Sequence, residues 1–390
     1  MNWDDKISKN VQAIKPSGIR KFFDIANQIP GVLSLSIGEP DFAAPDKVCE
    51  AMKASIDARQ TSYTANSGLI ELRQEIAKLF HDRYGVDYDP VDEIMVTVGA
   101  SEGLTMALLA LTEPGDEVII PDPAYVAYPA AVEAAGGVPV FVPTYAKDDF
   151  KVTADALEQV VTPKTKAIVM GYPNNPTGTV MTREELLPIA EFAKKHDLVV
   201  MSDEIYCELV YGDTKFTSFA NLPDMRERTI VLNGFSKAYA MTGMRLGYVC
   251  APRDGLANIL KLHQYMIMCA NTQAQYGGIT ALRDCAADVE SMRQEYDARR
   301  KVIYKGLVDM GLPVFEPKGA FYIFPDISCT GMNSEEFCEK LVKEEKVAVV
   351  PGTAFGACGE NHVRISYAAS METIKEALKR MAGFVEKYRK

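Results

Sequence analysis

The chain lacks any apolar run approaching the roughly eighteen residues of a membrane-spanning helix, and it lacks basic blocks of about five residues or more. Its 53 acidic residues outnumber 42 basic ones, and the net charge of −11 argues against a general attraction to nucleic acid or to an anionic membrane. Small molecules are the expected partners. The eight cysteines (Cys49, Cys207, Cys250, Cys269, Cys285, Cys329, Cys338 and Cys358) contain no CxxC pair and no Cys/His spacing suited to zinc, so they read as reduced thiols, mostly in the core. Histidine is scarce: His196 follows Lys194 and Lys195 at an expected helix end, where it complements the helix dipole, and His362 takes a similar structural role. The opening MNWDDKISKN has no apolar signal region, which leads to an expected place in the cytosol. GxGxxG is missing after every candidate strand, which sets aside a nucleotide-binding dehydrogenase.

What is present is bulk and alternation. A chain of 390 residues, 47% hydrophobic, exceeds the size at which one core stops growing. The expected division is a large domain over 48–285 and a smaller one made of 1–47 together with 286–390. PSGIRKFFDIANQI has helical spacing, Val32 to Ile37 reads as a strand broken by Gly38-Glu39-Pro40-Asp41, and two helical patterns between 46 and 80 flank the loop TSYTANSG. From Glu93, strands over 93–98, 117–121, 138–143, 167–173, 198–203 and 229–234 alternate with helices over 99–112, near 153–161 and over 183–195. Short, continuous apolar strands separated by helices predict an α/β fold, with a mainly parallel sheet covered on both faces in three layers. Beyond about 285 come a long charged helix (286–310), GAFYIFP, a helix near 333–346, VAVVPG, HVRISYA and a final helix over 370–388, the pattern of a smaller α+β domain.

In parallel sheets ligands bind beyond the carboxyl ends of the strands. That rule gathers Tyr125, Asn175, Asp203, Tyr206 and Lys237 on one edge. A lysine at the end of a core strand either snorkels outward or is held for its amine; beside a second cation, Arg245 eight positions on, its pKa falls and it becomes a nucleophile able to form a Schiff base. Asp203 closes an apolar strand, where a carboxylate is costly without a positive partner; a salt bridge is one account. Ala100 and Ser101 start a helix whose free N–H groups suit a phosphate, although any strand-to-helix turn looks similar. Gly38 can bring its N–H close to a ligand, and a plain turn explains it equally. An Asp, a Tyr three residues on, an Asn on the neighbouring loop, a strand-end Lys and an Arg eight beyond it are together what pyridoxal phosphate requires. The lysine bonds its aldehyde, the carboxylate keeps its ring nitrogen protonated, and Arg and N–H groups hold its phosphate.

These residues sit in motifs that occur in a known order: SLSIGEPDF, TSYTANSG, VTVGASEGL, PDPAYVAYP, YPNNPTG, SDEIYCEL, NGFSKAYAMTGMRLGY, GAFYIF and HVRISYA. Nearly end to end, the chain resembles the fold-type I, pyridoxal-phosphate-dependent aminotransferases of class I/II, and within them a bacterial branch with aromatic-type and N-acetyl-diaminopimelate members. The resemblance implies that Lys237 is the Schiff-base lysine and the base that moves a proton between Cα and C4′ of the cofactor. It implies that Asp203 pairs with the pyridinium nitrogen, that Asn175 and Tyr206 donate to the ring 3′ oxygen, and that Tyr125 stacks on the ring. Ala100, Ser101, Ser236 and Arg245 match the phosphate cradle, with Tyr63 reaching the phosphate from a neighbouring subunit, so a homodimer is implied. Arg364 matches the arginine that clamps a substrate α-carboxylate, and Gly38 adds an N–H.

Three positions depart from the family's pattern: Met244 stands where the branch usually has tryptophan, Gly234 where a cradle serine is common, and Ser101 where some acid-specific members have lysine. The last argues against dedicated aspartate specificity and leaves glutamate open as an amino donor. The expected reaction is ping-pong transfer of an amino group from an amino acid to a 2-oxo acid, with selectivity set near Ser17 to Arg20 and Met268 to Asn271. A carbon–sulfur β-lyase using the same cofactor and a regulatory protein retaining the fold are the alternatives; the full catalytic set argues against the latter.

Overall fold

The computed structural model describes residues 1–16, 18–19 and 29–390, so most of the helix expected in PSGIRKFFDIANQI lies outside the described residues. The strands, in chain order, are β1 (Leu33–Ser34), β2 (Ile94–Thr97), β3 (Glu117–Asp122), β4 (Val138–Pro143), β5 (Thr165–Gly171), β6 (Val199–Asp203), β7 (Thr229–Gly234), β8 (Gly247–Cys250), β9 (Tyr322–Ile323), β10 (Val347–Ala348), β11 (Val350–Pro351) and β12 (Val363–Ser366). The helices that matter for the site are α1 (Asp46–Asp57), α2 (Ile70–Leu79), α3 (Gly99–Leu111), α4 (Arg183–Lys195), α5 (Arg253–Met266), α6 (Thr272–Asp284), α7 (Ala286–Asp309), α8 (Ser334–Glu345) and α9 (Met371–Tyr388). The start of α4 is written in its sequence: Thr182 and Glu185 form a capping box, and the helix ends at His196, whose ring meets Glu158 at 3.0 Å.

One sheet has the order β2-β8-β7-β6-β5-β3-β4. Its strands are parallel from β4 to β7, whereas β8 runs antiparallel to both β7 and β2. β2 and β7 are buried throughout, as continuous apolar runs require of a sheet covered on both faces, while the edge strand β4 exposes Val138 and Phe141. The sequence pattern contained no separate strand over Gly247–Cys250, yet β8 does much to build the site. Because it runs backwards, its first residue pairs with the last residue of β7 (Gly234 with Gly247) and of β2 (Thr97 with Gly247). The turn before β8 therefore returns to the carboxyl edge of its neighbours. A Cβ on Gly234 would lie 2.8 Å from the Cα of Gly247, which accounts for glycine where a serine was expected.

The remaining strands are short. β11, β12 and β9 form an antiparallel sheet, and β1 pairs in parallel with β10. VAVVPG is thus split between two sheets on either side of Val349, and the strand expected over 32–37 keeps regular pairing only at Leu33 and Ser34. A core of Leu35, Tyr206, Tyr211, Tyr296, Phe321 and Phe337, with α7, α8 and α9 packed around it, ties the N-terminal segment and the residues after β6 to the C-terminal half. Among the described residues no helix is long and apolar enough to cross a membrane.

Candidate active site

Of the residues assigned to catalysis, cofactor or substrate carboxylate from the sequence, all but Tyr63 line one cavity of about 400 Å³ at the carboxyl edge of the sheet. β3 delivers Tyr125, β5 Asn175, β6 Asp203 and Tyr206, and β7 Ser236 and Lys237. Tyr63 is 80% exposed on its loop and does not line the cavity.

Lys237 lies at the floor. Its Nζ donates to the Gly38 carbonyl oxygen at 2.6 Å, and the rings of Tyr206 and Phe321 stand within 6 Å. Burial is the main cause that lowers its pKa to about 8; Arg364 and Arg245 push the same way, while Glu39 and Asp203 oppose. Asp203 is a part-buried carboxylate whose pKa is raised by desolvation and held back by the Tyr128 hydroxyl, which donates to Oδ2 at 2.8 Å, and by the Ile205 N–H at 3.2 Å. Tyr206 shares a hydrogen bond of 2.8 Å with the Tyr322 hydroxyl. Sequence reasoning named neither Tyr128 nor Tyr322. PDPAYVAYP did place Tyr128 three residues after Tyr125, a spacing that puts two side chains on one helical face.

Arg364, 2% exposed on β12, donates from Nη1 to Asn175 Oδ1 at 3.0 Å and from Nη2 to the Ser36 carbonyl oxygen at 2.5 Å. Its guanidinium lies over the Tyr322 and Phe355 rings, and its Nε has no partner among the described residues. A buried donor in that state is open to an acceptor from a ligand.

At the other end of the cavity, Ala100 and Ser101 open α3, where N–H groups and the positive end of the helix dipole suit an anion. Arg245, on the turn before β8, donates from Nη1 to the Thr242 carbonyl oxygen at 3.0 Å. Gly99 has φ of +73°, and a Cβ there would meet Arg245 Nη2 at 2.5 Å, so glycine is required for helix and guanidinium to converge. Of the residues expected to govern selectivity, Ser17 and Arg20 lie outside the described residues, and Ile19 lines the cavity. Met268 to Asn271 do not line it in this chain; Asn271 instead caps α6 by accepting from the Ala274 N–H.

One cavity joins an amine whose pKa burial lowers, a part-buried carboxylate, a helix start and an arginine suited to an anion, and a second arginine with a spare donor. The group this arrangement fits carries an aldehyde, a basic ring nitrogen and a phosphate. Fold and site together define a pyridoxal-phosphate enzyme of fold type I. The comparisons with known proteins are narrower. The sequence pattern of the family described as aminotransferase class I and II matches residues 30–381. The aspartate aminotransferase of Pyrococcus abyssi is 49% identical, and the aromatic-amino-acid aminotransferase 2 of Thermococcus litoralis 48%, each over 96% of this chain and 97% of the relative. The crystal structure of an aromatic aminotransferase from Pyrococcus horikoshii superposes with a TM-score of 0.90 at 47% identity, covering 94% of this chain and 99% of that one. The chain belongs to the class I and II aminotransferases, and its cofactor is pyridoxal phosphate.

Proposed function

We propose that the residues gathered in the cavity divide the transfer of an amino group from an amino acid to a 2-oxo acid among them, and that the observation carrying this assignment is the meeting of Lys237, Asp203, Asn175, Arg245 and Arg364 in one cavity. Bound there, pyridoxal phosphate supplies an aldehyde for amino groups and a ring that accepts the electron pair left when a proton departs from Cα. Lys237 Nζ would hold the aldehyde of the group, and the same amine is placed to serve as the base for the substrate's Cα proton. Asp203 keeps the ring nitrogen protonated, and the Tyr128 hydroxyl keeps Asp203 ionised against the effect of burial. Asn175 Oδ1 is occupied by Arg364, which leaves its amide N–H groups for the ring 3′ oxygen, and Tyr206 adds its hydroxyl. Tyr125, which lines the cavity, would pack against the ring. Ala100, Ser101, Ser236 and Arg245 hold the phosphate, and Arg364 with the Gly38 N–H holds the substrate α-carboxylate.

The exposed Tyr63 supports a homodimer in which each subunit completes its partner's phosphate site. The eight free thiols fit a reducing compartment, the cytosol. The division into 48–285 and 1–47 with 286–390 is kept as the domain assignment, with the cavity between them. The test is spectroscopic: the protein with pyridoxal phosphate should show a visible absorbance band that an amino donor bleaches and a 2-oxo acid restores. Lys237→Ala should abolish the band, and a wild-type protein that gains no band would overturn the assignment.

A further inference from the structure

His196 and His362 have surface or packing roles, but His263 is buried completely and has none in the site as described. It lies on α5 and meets Glu102, in the first turn of α3, through Nδ1 and Oε1 at 2.5 Å, while its Nε2 faces the Asn66 carbonyl oxygen at 2.9 Å. Both neighbours are acceptors when Glu102 is ionised. The ring satisfies both by donating from each nitrogen, or by donating from Nε2 while a protonated Glu102 donates to Nδ1.

What the pair connects is specific. The other oxygen of Glu102 accepts the Val98 N–H at 2.5 Å, at the residue immediately ahead of Gly99 and the cradle residue Ala100. Asn66 belongs to the loop that displays Tyr63, and its side chain is fastened again by a bond to the Met268 carbonyl oxygen at 2.7 Å. One imidazole is therefore tied on one side to the turn that opens the phosphate cradle and on the other to the Tyr63 loop.

We infer that His263 and Glu102 are positioning residues for the cofactor phosphate: through Val98 they fix the cradle of their own subunit, and through Asn66 they fix the reach of Tyr63 toward the partner subunit. The second half rests on the dimer reading given above. In a dimer of that kind each cradle is set by its own His263 and, through the facing Tyr63, by the partner's copy.

Two substitutions separate the arms. In His263→Gln the amide keeps a donor near the Nε2 position, facing Asn66, and leaves Glu102 Oε1 without its partner while Oε2 still accepts from Val98; His263→Asn keeps the donor toward Glu102 and releases the Asn66 carbonyl. The measurement is the dissociation constant of pyridoxal phosphate, from visible absorbance on titrating apoenzyme, alongside apoenzyme melting. Each variant should bind the cofactor about tenfold more weakly, the effect of leaving one buried acceptor unpaired at the site. In a Tyr63→Phe background the His263→Asn effect should shrink to within about twofold, whereas the His263→Gln effect should persist. Glu102→Gln should repeat His263→Gln and replaces it if that variant does not fold. Cofactor affinity within about twofold of wild type in His263→Gln and Glu102→Gln, with only melting lowered, would overturn the inference and leave the pair as core packing. An undiminished His263→Asn effect beside Tyr63→Phe would overturn the coupling to the partner. If Tyr63→Phe alone leaves affinity unchanged, it is the dimer reading that fails, and His263→Gln still decides the first half.

Discussion

With cofactor removed, Lys237 should make the enzyme less stable at neutral pH than it need be. Its amine lies at about 8 against an ordinary 10.5, a difference of about 2.5 units or about 3 kcal/mol. Lys237 keeps some exposure, so about 2 kcal/mol is the effect after discounting for solvent. The direction follows from proton counts. Between about 8 and 10.5 the unfolded chain binds a proton that the folded chain does not, so stability contributed by this group rises with pH across that window. Below about 8 both states are protonated and the folded state bears the whole penalty; above 10.5 neither is, and the penalty is gone. Lys237→Met keeps the volume and removes the titrating group. It also removes the donor to the Gly38 carbonyl, which costs about 1 kcal/mol at any pH. The variant apoenzyme should therefore be about 1 kcal/mol more stable than wild type at pH 7 and about 1 kcal/mol less stable near pH 10.5, from the same two contributions. Urea unfolding of both apoenzymes at three pH values across the range measures the crossover. A stability difference that stays flat to within about 0.5 kcal/mol would refute the claim that burial, reinforced by the two guanidinium groups, depresses this amine.

Tyr128→Phe removes the hydroxyl that Asp203 accepts at 2.8 Å and should lower kcat about tenfold with little change in KM, and a wild-type kcat would show that Asp203 does not depend on it. Arg364→Lys keeps the charge but loses the planar fork, so kcat/KM for amino donors should fall about a hundredfold in steady-state assays; an unchanged value would place carboxylate binding elsewhere. Gly99→Ala puts a methyl group 2.5 Å from Arg245 Nη2 at a φ of +73° and should weaken cofactor binding about tenfold on titrating apoenzyme. Gly255→Ala, on α5 with nothing within 4 Å of the new Cβ, is the control and should bind normally.

Much of the site was legible before the fold because parallel α/β sheets expose strand ends on one edge, so locating the ends of 117–121, 167–173, 198–203 and 229–234 located Tyr125, Asn175, Asp203 and Lys237 together. Those ends were clear because the strands are continuous apolar runs. The strand over Gly247–Cys250 was not, since four residues following a glycine-rich turn carry too little pattern to separate from the segment before them. Met268 to Asn271 do not line the cavity in this chain: Ala270 is buried in the core, Asn271 caps α6, and the Met268 carbonyl accepts from the Asn66 side chain.

By itself the sequence determined the lysine, the carboxylate, the cradle helix and the family. Tertiary structure alone decided what holds them in their protonation states and positions. Tyr128 finds Asp203 across 75 positions, Tyr322 finds Tyr206 across 116, and His263 finds Glu102 across 161. Periodicity and turn chemistry act over a few residues, whereas these partners meet only because stacked strands and the helices packed on them bring distant segments within a hydrogen bond of each other.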